Sequence, residues 1–270
     1  MKRYSSLYLL PALIAATIAT VSCSKTPSGV LEPEEMASLL ADVYRGEAVI
    51  EFNHASYSND SMKKVVKQSI LHGHGVGQEE FDSSLAWYGR HISDYIKVCD
   101  RAVEILEAEA KAIPDDPAGF NQMMVAGDSA QVWPLSRYYH ITSLTPGRYL
   151  TFSLTPDETW EPGDEYQLAF KIINSRTPVK SLLATSYEDG RAEYANHEQN
   201  EDGWSRTTLR LDSTRTSKAI YGVIEFNPTE GENIYVDSVS LIRTRLNPTT
   251  YRNRYRQKTF DYGKKNDRDK

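Results

Sequence analysis

Two pairs of adjacent carboxylates, Glu188-Asp189 and Glu201-Asp202, are of the kind that work as acid and base on a glycosidic bond. Both precede a glycine, Gly190 and Gly203, in contexts where Asp serves the geometry of a hairpin turn instead. His72 and His74 are the next candidates, as a metal chelate. A zinc site needs three or four ligands, and no fixed third one is visible, so His72-Gly73-His74-Gly75 reads as the turn that ends a helix. No catalytic residue, metal or cofactor is assigned. Aromatic rings carry more weight, because the chain holds 17 Tyr and 4 Trp. Sugars lay their apolar CH faces on such rings, and the polar tips of the rings meet hydroxyls. Tyr138, Tyr149, Tyr187, Tyr194 and Trp204 are the candidate glycan or ligand contacts, provided that two or three of them line one sheet face.

The remaining chemistry-bearing residue is Cys23. Lys2 and Arg3 open the chain, and an apolar run from Leu7 to Val21 (LYLLPALIAATIATV) ends at Ser22-Cys23. That run is too short to span a bilayer core, which needs ~20 residues, so residues 1–22 read as a signal peptide. The layout resembles a bacterial lipoprotein signal, which implies that Cys23 is acylated and holds the protein to a membrane. Residues 23–32 (CSKTPSGVLE) form a tether. They lack the acidic run that sends related envelope lipoproteins of the Bacteroidota to the cell surface. The resemblance therefore implies an outer-membrane protein facing the periplasm. With Cys23 lipidated, Cys99 stands alone and no intramolecular disulfide forms.

Composition is that of a soluble globular protein, 40% hydrophobic and 25% charged, and the net charge of -6 excludes a nucleic-acid partner. Residues 33–113 read as a small bundle of four helices. The first starts at Pro33 with Glu34 and Glu35 in its first turn and carries an apolar stripe of Met36, Leu40, Val43 and Ile50, with Glu47 at its edge. The second spans about Lys63 to His72, the third about Gln78 to Arg90. The fourth repeats apolar residues at Ile92, Ile96, Cys99, Val103, Leu106, Ala110 and Ile113, a heptad seam expected to face its neighbour, with Cys99 as a core residue.

The segments MASLLADVYRGEAVI, Ile70-Leu71, His74-Gly75-Val76 and FDSSLAWY resemble the helical domain of Bacteroidota lipoproteins of domain-of-unknown-function family 4296. That resemblance implies topology and compartment and carries no activity. Gly46 stands where the family more often has Ala, a substitution that weakens a helix by ~1 kcal/mol.

Residues 114–130 read as a linker, opened by Pro114 and Pro117. Gly127-Asp128-Ser129 is similar to the nucleophile box of GDS-type hydrolases, whose base comes from a late Asp-x-x-His segment. None occurs, and the last histidine is His197. Asp128-Ser129-Ala130 also resembles the O-glycosylation acceptor motif of Bacteroidota envelope proteins, with Ser129 as the modified residue on an exposed linker.

Over residues 131–246 the apolar period becomes two. Leu150/Phe152/Leu154, Tyr166/Leu168/Phe170/Ile172, Ile220/Gly222/Ile224/Phe226 and Tyr235/Asp237/Val239/Leu241 alternate with other residues, divided by turn signals. An antiparallel β-sandwich or jelly roll is expected, and the closing segments IYGVIEF and IYVDSVSLI resemble carbohydrate-binding jelly rolls. Residues 247–270 are a basic tail. Eight Lys/Arg against three Asp give +5 over residues 251–270, and Arg252, Arg254, Arg256 and Lys258 suit docking to an acidic partner or anionic lipid. The fold class is thus α+β in two parts. The expected function is a non-catalytic binding or assembly component of the cell envelope with a glycan or protein partner. The alternative is an envelope glycan hydrolase using sandwich carboxylates.

Overall fold

A computed structural model describes residues 26–113, 129–145, 147–156 and 160–246. Cys23 and the docking residues Arg252, Arg254, Arg256 and Lys258 lie outside the described residues, as do Gly127 and Asp128.

Among the described residues four helices come first. α1 (Pro33–Phe52) opens with a capping box between Glu32 and Glu35, and α2 (Asp60–Gly73) is capped by Asn59, whose side chain accepts from the Ser61 amide. α3 (Gln78–Arg90) and α4 (Ile92–Ala112) complete the bundle. Their shared core holds Met36, Leu39, Leu40, Val66, Ile70, Phe81, Tyr88, Val98 and Ala102. The Tyr88 hydroxyl donates to the Leu31 carbonyl at 3.0 Å, tying the segment before α1 to α3. Gly46 is buried where α1 meets α2, and a Cβ there would lie 2.6 Å from Ile70 Cδ1. The missing side chain is what lets the two helices close, so its low helix propensity is offset by contact. Among the described residues no helix is long and apolar enough to cross a membrane.

The α4 seam is a correction. Ile92, Ile96 and Val103 are exposed, and the helix instead buries Val98 and Ala102, flanked by half-buried Tyr95, Cys99, Ile105 and Leu106. The apolar stripe of α4 is wider than its contact, and only one side of it faces the bundle. Cys99 sits at the boundary, with Sγ 3.9 Å from the Tyr44 hydroxyl. Glu47 is likewise exposed.

Among the described residues nine strands follow: β1 (Ser129–Gln131), β2 (Tyr139–Thr142), β3 (Tyr149–Leu154), β4 (Glu165–Ile173), β5 (Val179–Tyr187), β6 (Ala192–Gln199), β7 (Gly203–Arg210), β8 (Ser217–Glu225) and β9 (Asn233–Thr244). The first sheet runs β1-β9-β4-β7 with β2 also on β9, and the second runs β3-β8-β5-β6. All pairs are antiparallel. Leaving aside the short β1, these orders are those of a jelly roll, two four-stranded sheets fed alternately by the chain. Tyr166, Leu168, Phe170 and Ile172 from one sheet meet Leu183, Ile220 and Ile224 from the other in the core. In β9 the alternation changes phase. Ser238 takes a positive φ of 56°, and the register against β4 slips there, so Tyr235 faces outward while Val239 and Leu241 face the core. The expectation that these three share a face is thereby corrected. Ser129 is also not on an exposed linker. It pairs with Thr244 in β1, and the two hydroxyls lie 3.1 Å apart.

The helices seat on the outer face of the first sheet. Asn53, at the C-terminal cap of α1, donates to the Tyr138 carbonyl at 2.7 Å, and Ser69 of α2 shares a 3.2 Å hydrogen bond with Thr142. Asn233 of β9 donates to the Ser69 carbonyl at 3.1 Å and lies 2.8 Å from Nε2 of the buried His140. With the Asn233 oxygen as acceptor, His140 carries its proton on Nε2. Arg45 binds Asp42 and Glu109 and places its guanidinium 4.7 Å from the centre of the Tyr235 ring. Lys171 of β4 donates to the Ile113 carbonyl at 2.8 Å, where α4 ends.

Candidate functional site

Since one outer face of the sandwich receives the helices, the second sheet's outer face is the open one. Its strands are built by alternation. In β5, Val179, Ser181, Leu183, Thr185 and Tyr187 turn inward and are buried, which leaves Lys180, Leu182 and Ala184 outward. Register carries that polarity to the neighbours. Tyr149, Glu225, Lys180 and Glu198 form one row across β3, β8, β5 and β6. Thr151, Val223, Leu182 and Asn196 form the next, and Ser153, Tyr221, Ala184 and Tyr194 the third.

Three tyrosines therefore share one face, and all three are open to solvent: Tyr149 at 58%, Tyr194 at 71% and Tyr221 at 46% exposure. Tyr221 and Tyr194 stand two strands apart, roughly 10 Å at the spacing of a β-sheet, with the small Ala184 between them. Tyr149, on β3, pairs with Glu225 at the far end of β8 from Tyr221 and so lies diagonally across the face. On the same face, in the two rows next to that of Tyr221 and Tyr194, is a shallow cleft of about 440 Å³ whose lining includes Lys180, Leu182, Asn196, Glu198, Val223 and Glu225. Lys180 Nζ lies 3.9 Å from Glu198, and Glu225 is its register neighbour on the other side, so one basic and two acidic residues share the row. Donors and acceptors thus alternate across an apolar floor, an arrangement suited to hydroxyl-rich ligands.

The other predicted contacts are elsewhere. Tyr187 is buried in the core, a correction to its reading as a ligand contact. Its hydroxyl donates to Glu193 at 2.6 Å and accepts from the Asp212 amide at 2.9 Å, and burial, reinforced by the Glu193 bond, pushes its pKa up to about 12. It closes β5 against the loop before β8. Trp204 sits on the opposite sheet, half-buried against Ala169 and Ile242, with Arg206 5.7 Å from its ring. Tyr138 stacks on Phe52 at 4.9 Å at the junction with the helices. Both are removed from the tyrosine face by the thickness of the sandwich.

The polar candidates separate as well. His72 lies 3.6 Å from Glu230 and His74 2.8 Å from Asp42, so the two imidazoles serve different partners. Among the described residues no three His, Cys, Asp or Glu side chains converge as metal ligands. Asp202 accepts from the Asn174 and Ser175 amides at 2.7 and 2.9 Å, and Asp189 receives Arg215 at 3.0 Å. Both acids hold turns together. Tyr221 is inconspicuous in the sequence because Ile220, Gly222 and Ile224 mark β8 as a core strand. The same alternation, read for its other face, yields Tyr221, Val223 and Glu225.

Residues 27–112 match the family model of a domain of unknown function, DUF4296, which covers the four helices. No curated protein matches the chain. Solved structures similar to it include a family 16 carbohydrate-binding module, at 10% identity and TM-score 0.28, over 42% of this chain and 84% of that one. A chain described as CBM4 matches at 17% identity and TM-score 0.27, over 40% of this chain and 71% of that one. PfGH50B matches at 15% identity and TM-score 0.24, over 37% of this chain and 19% of that one, so the match spans about a fifth of that protein's length.

Proposed function

With residues 27–112 forming a DUF4296 domain, we propose that the chain is a non-catalytic glycan-binding component of the cell envelope. The sugar lies on the outer face of the second sheet, and the helices serve as the membrane-side module. One observation carries this reading: Tyr149, Tyr194 and Tyr221 are exposed on the one sheet face that the helices leave open. Rings held on paired strands are fixed relative to one another, which limits the ordering cost of binding an extended ligand. The lipid anchor at Cys23 supplies the membrane partner, outer-membrane and periplasm-facing. The basic residues Arg252, Arg254, Arg256 and Lys258 supply a second contact to acidic protein or lipid.

The hydrolase alternative has a foothold in Glu198 and Glu225, which flank the same cleft. They project from an open sheet with Lys180 between them, whereas hydrolysis needs two carboxylates aimed at one bond from opposite sides. Binding is the better fit to a flat face. The test is calorimetric titration with cellohexaose, xylohexaose and maltohexaose, neutral chains that differ in linkage and curvature. At least one should bind, and a Tyr149→Ala/Tyr194→Ala/Tyr221→Ala variant should lose that binding while keeping its thermal midpoint. Stacking contacts worth about 1 kcal/mol each predict a loss of roughly a hundredfold. Binding to none of the three, or equal binding by the variant, refutes the proposal, and release of shorter sugars would favour the hydrolase.

A further inference from the structure

A second cavity lies within the helical half, far from the tyrosine face. It holds about 420 Å³ and opens between α1 and the neighbouring helices, with Val43, Ile50, Ile70, Phe81 and Leu85 among its walls. This volume falls in the range of small-ligand pockets, about 300–1,000 Å³. Its charged lining residues, Glu47, Lys63 and Lys67, are all exposed and so stand at its opening. Lys63 and Lys67 stand one turn apart on α2, where side chains four residues apart share a face. The Lys67 ammonium is 5.4 Å from the centre of the Phe81 ring, so it caps the apolar wall directly. The Lys63 ammonium has the exposed Asp60 beside it, at 3.5 Å. Glu47 of α1 also borders the opening.

We propose that this cavity binds the hydrocarbon tail of a single-chain amphiphile whose carboxylate rests on Lys63 and Lys67, that is, a long-chain fatty acid. The aliphatic and phenyl walls offer nothing to the hydroxyls of a sugar or to a peptide backbone, whose unmet hydrogen bonds would be costly there, and of the two tyrosines in the lining, Tyr44 and Tyr95, the first has its hydroxyl against Cys99 Sγ. A methylene chain loses nothing on entry and gains by leaving water. The two ammonium groups at the mouth select a negative head, and Glu47 beside them disfavours a second negative charge. A monoanionic carboxylate fits this arrangement better than a phosphate dianion. The site is independent of the sheet face and does not rest on glycan binding.

The experiment is fluorescence displacement of dansylaminoundecanoate from the protein by palmitate and by hexadecanol, both below the concentrations at which they aggregate. Palmitate should displace the probe at one site per chain, about tenfold more tightly than hexadecanol, since a charge-assisted contact of about 1.4 kcal/mol is worth that factor. Lys63→Gln/Lys67→Gln alters exposed residues only and should abolish the preference for the acid while leaving the alcohol bound. Val43→Phe fills the cavity and should block both ligands. No displacement by palmitate, equal displacement by the two ligands, or a preference that survives in the double variant would each overturn the proposal. Should Val43→Phe fail to fold, the double variant decides the matter alone.

Discussion

His140 is the residue through which acidity should loosen the helices from the sandwich. It is 3% exposed on β2, stacked on Tyr235 at 4.9 Å, and its Nε2–H donates to Asn233. Burial lowers its pKa from 6.5 to about 4, against the opposing effects of the Asn233 bond and Asp42. Below pH 6.5 the unfolded chain takes up a proton that the folded chain refuses until about 4, so stability is lost as pH falls through that window. At about 1.4 kcal/mol per pH unit, the full loss is roughly 3 kcal/mol. His140→Gln keeps an amide donor near Asn233 and removes the titrating ring. Urea unfolding of both proteins from about pH 7.5 down to about pH 4 isolates this group, because all other titratable groups are common to both. The variant should be less stable at neutral pH, having lost the ring stack. Its deficit should then shrink by about 2–3 kcal/mol toward pH 4. A deficit that stays constant with pH would refute the assignment of a buried, neutral imidazole at this junction.

Other consequences follow from contacts already described. Gly222→Ala puts a methyl into the Phe152 ring on the neighbouring strand, and such overpacking should cost about 1–3 kcal/mol in urea unfolding. Asn233→Ala strips the buried His140 of its acceptor and the Ser69 carbonyl of its donor. A loss of about 1–3 kcal/mol is expected, with amide exchange accelerated first along α2 and β9. Tyr187→Phe removes a buried hydroxyl that bridges Glu193 and the Asp212 amide. It should lower stability by about 1–3 kcal/mol yet leave any glycan affinity unchanged, because Tyr187 points away from the open face.

Local signals in the sequence were sufficient for the elements. Pro33 with Glu34 and Glu35 marked the start of α1, and strand alternation marked β3, β4 and β8, because caps and periodicity are properties of neighbours in sequence. What failed depended on distant partners. The stripe from Ile92 to Ile113 is genuinely apolar, but α4 rotates so that Val98 and Ala102 meet α1, and nothing local fixes that rotation. The phase slip at Ser238 needs an irregular φ that no residue type announces, since Ser is not a usual choice there. Tyr187 and Tyr194 lie on opposite faces although both flank the Asp189-Gly190 turn, and only the pairing of Ala184 with Tyr194 separates them. Tyr149 and Tyr194 were legible as candidates. Their shared face with Tyr221 depends on β8 lying between β3 and β5, a long-range pairing that no local pattern encodes.

The central claim is that the open sheet face is where a glycan lies. Its most direct test is an amide NMR titration of the labelled protein with whichever hexasaccharide binds. Shifts concentrated at Tyr149, Lys180, Asn196, Glu198, Tyr221 and Glu225, with the helices and the first sheet unmoved, are the result this account predicts. Shifts confined to the helix–sandwich junction or to the Trp204 face would contradict it.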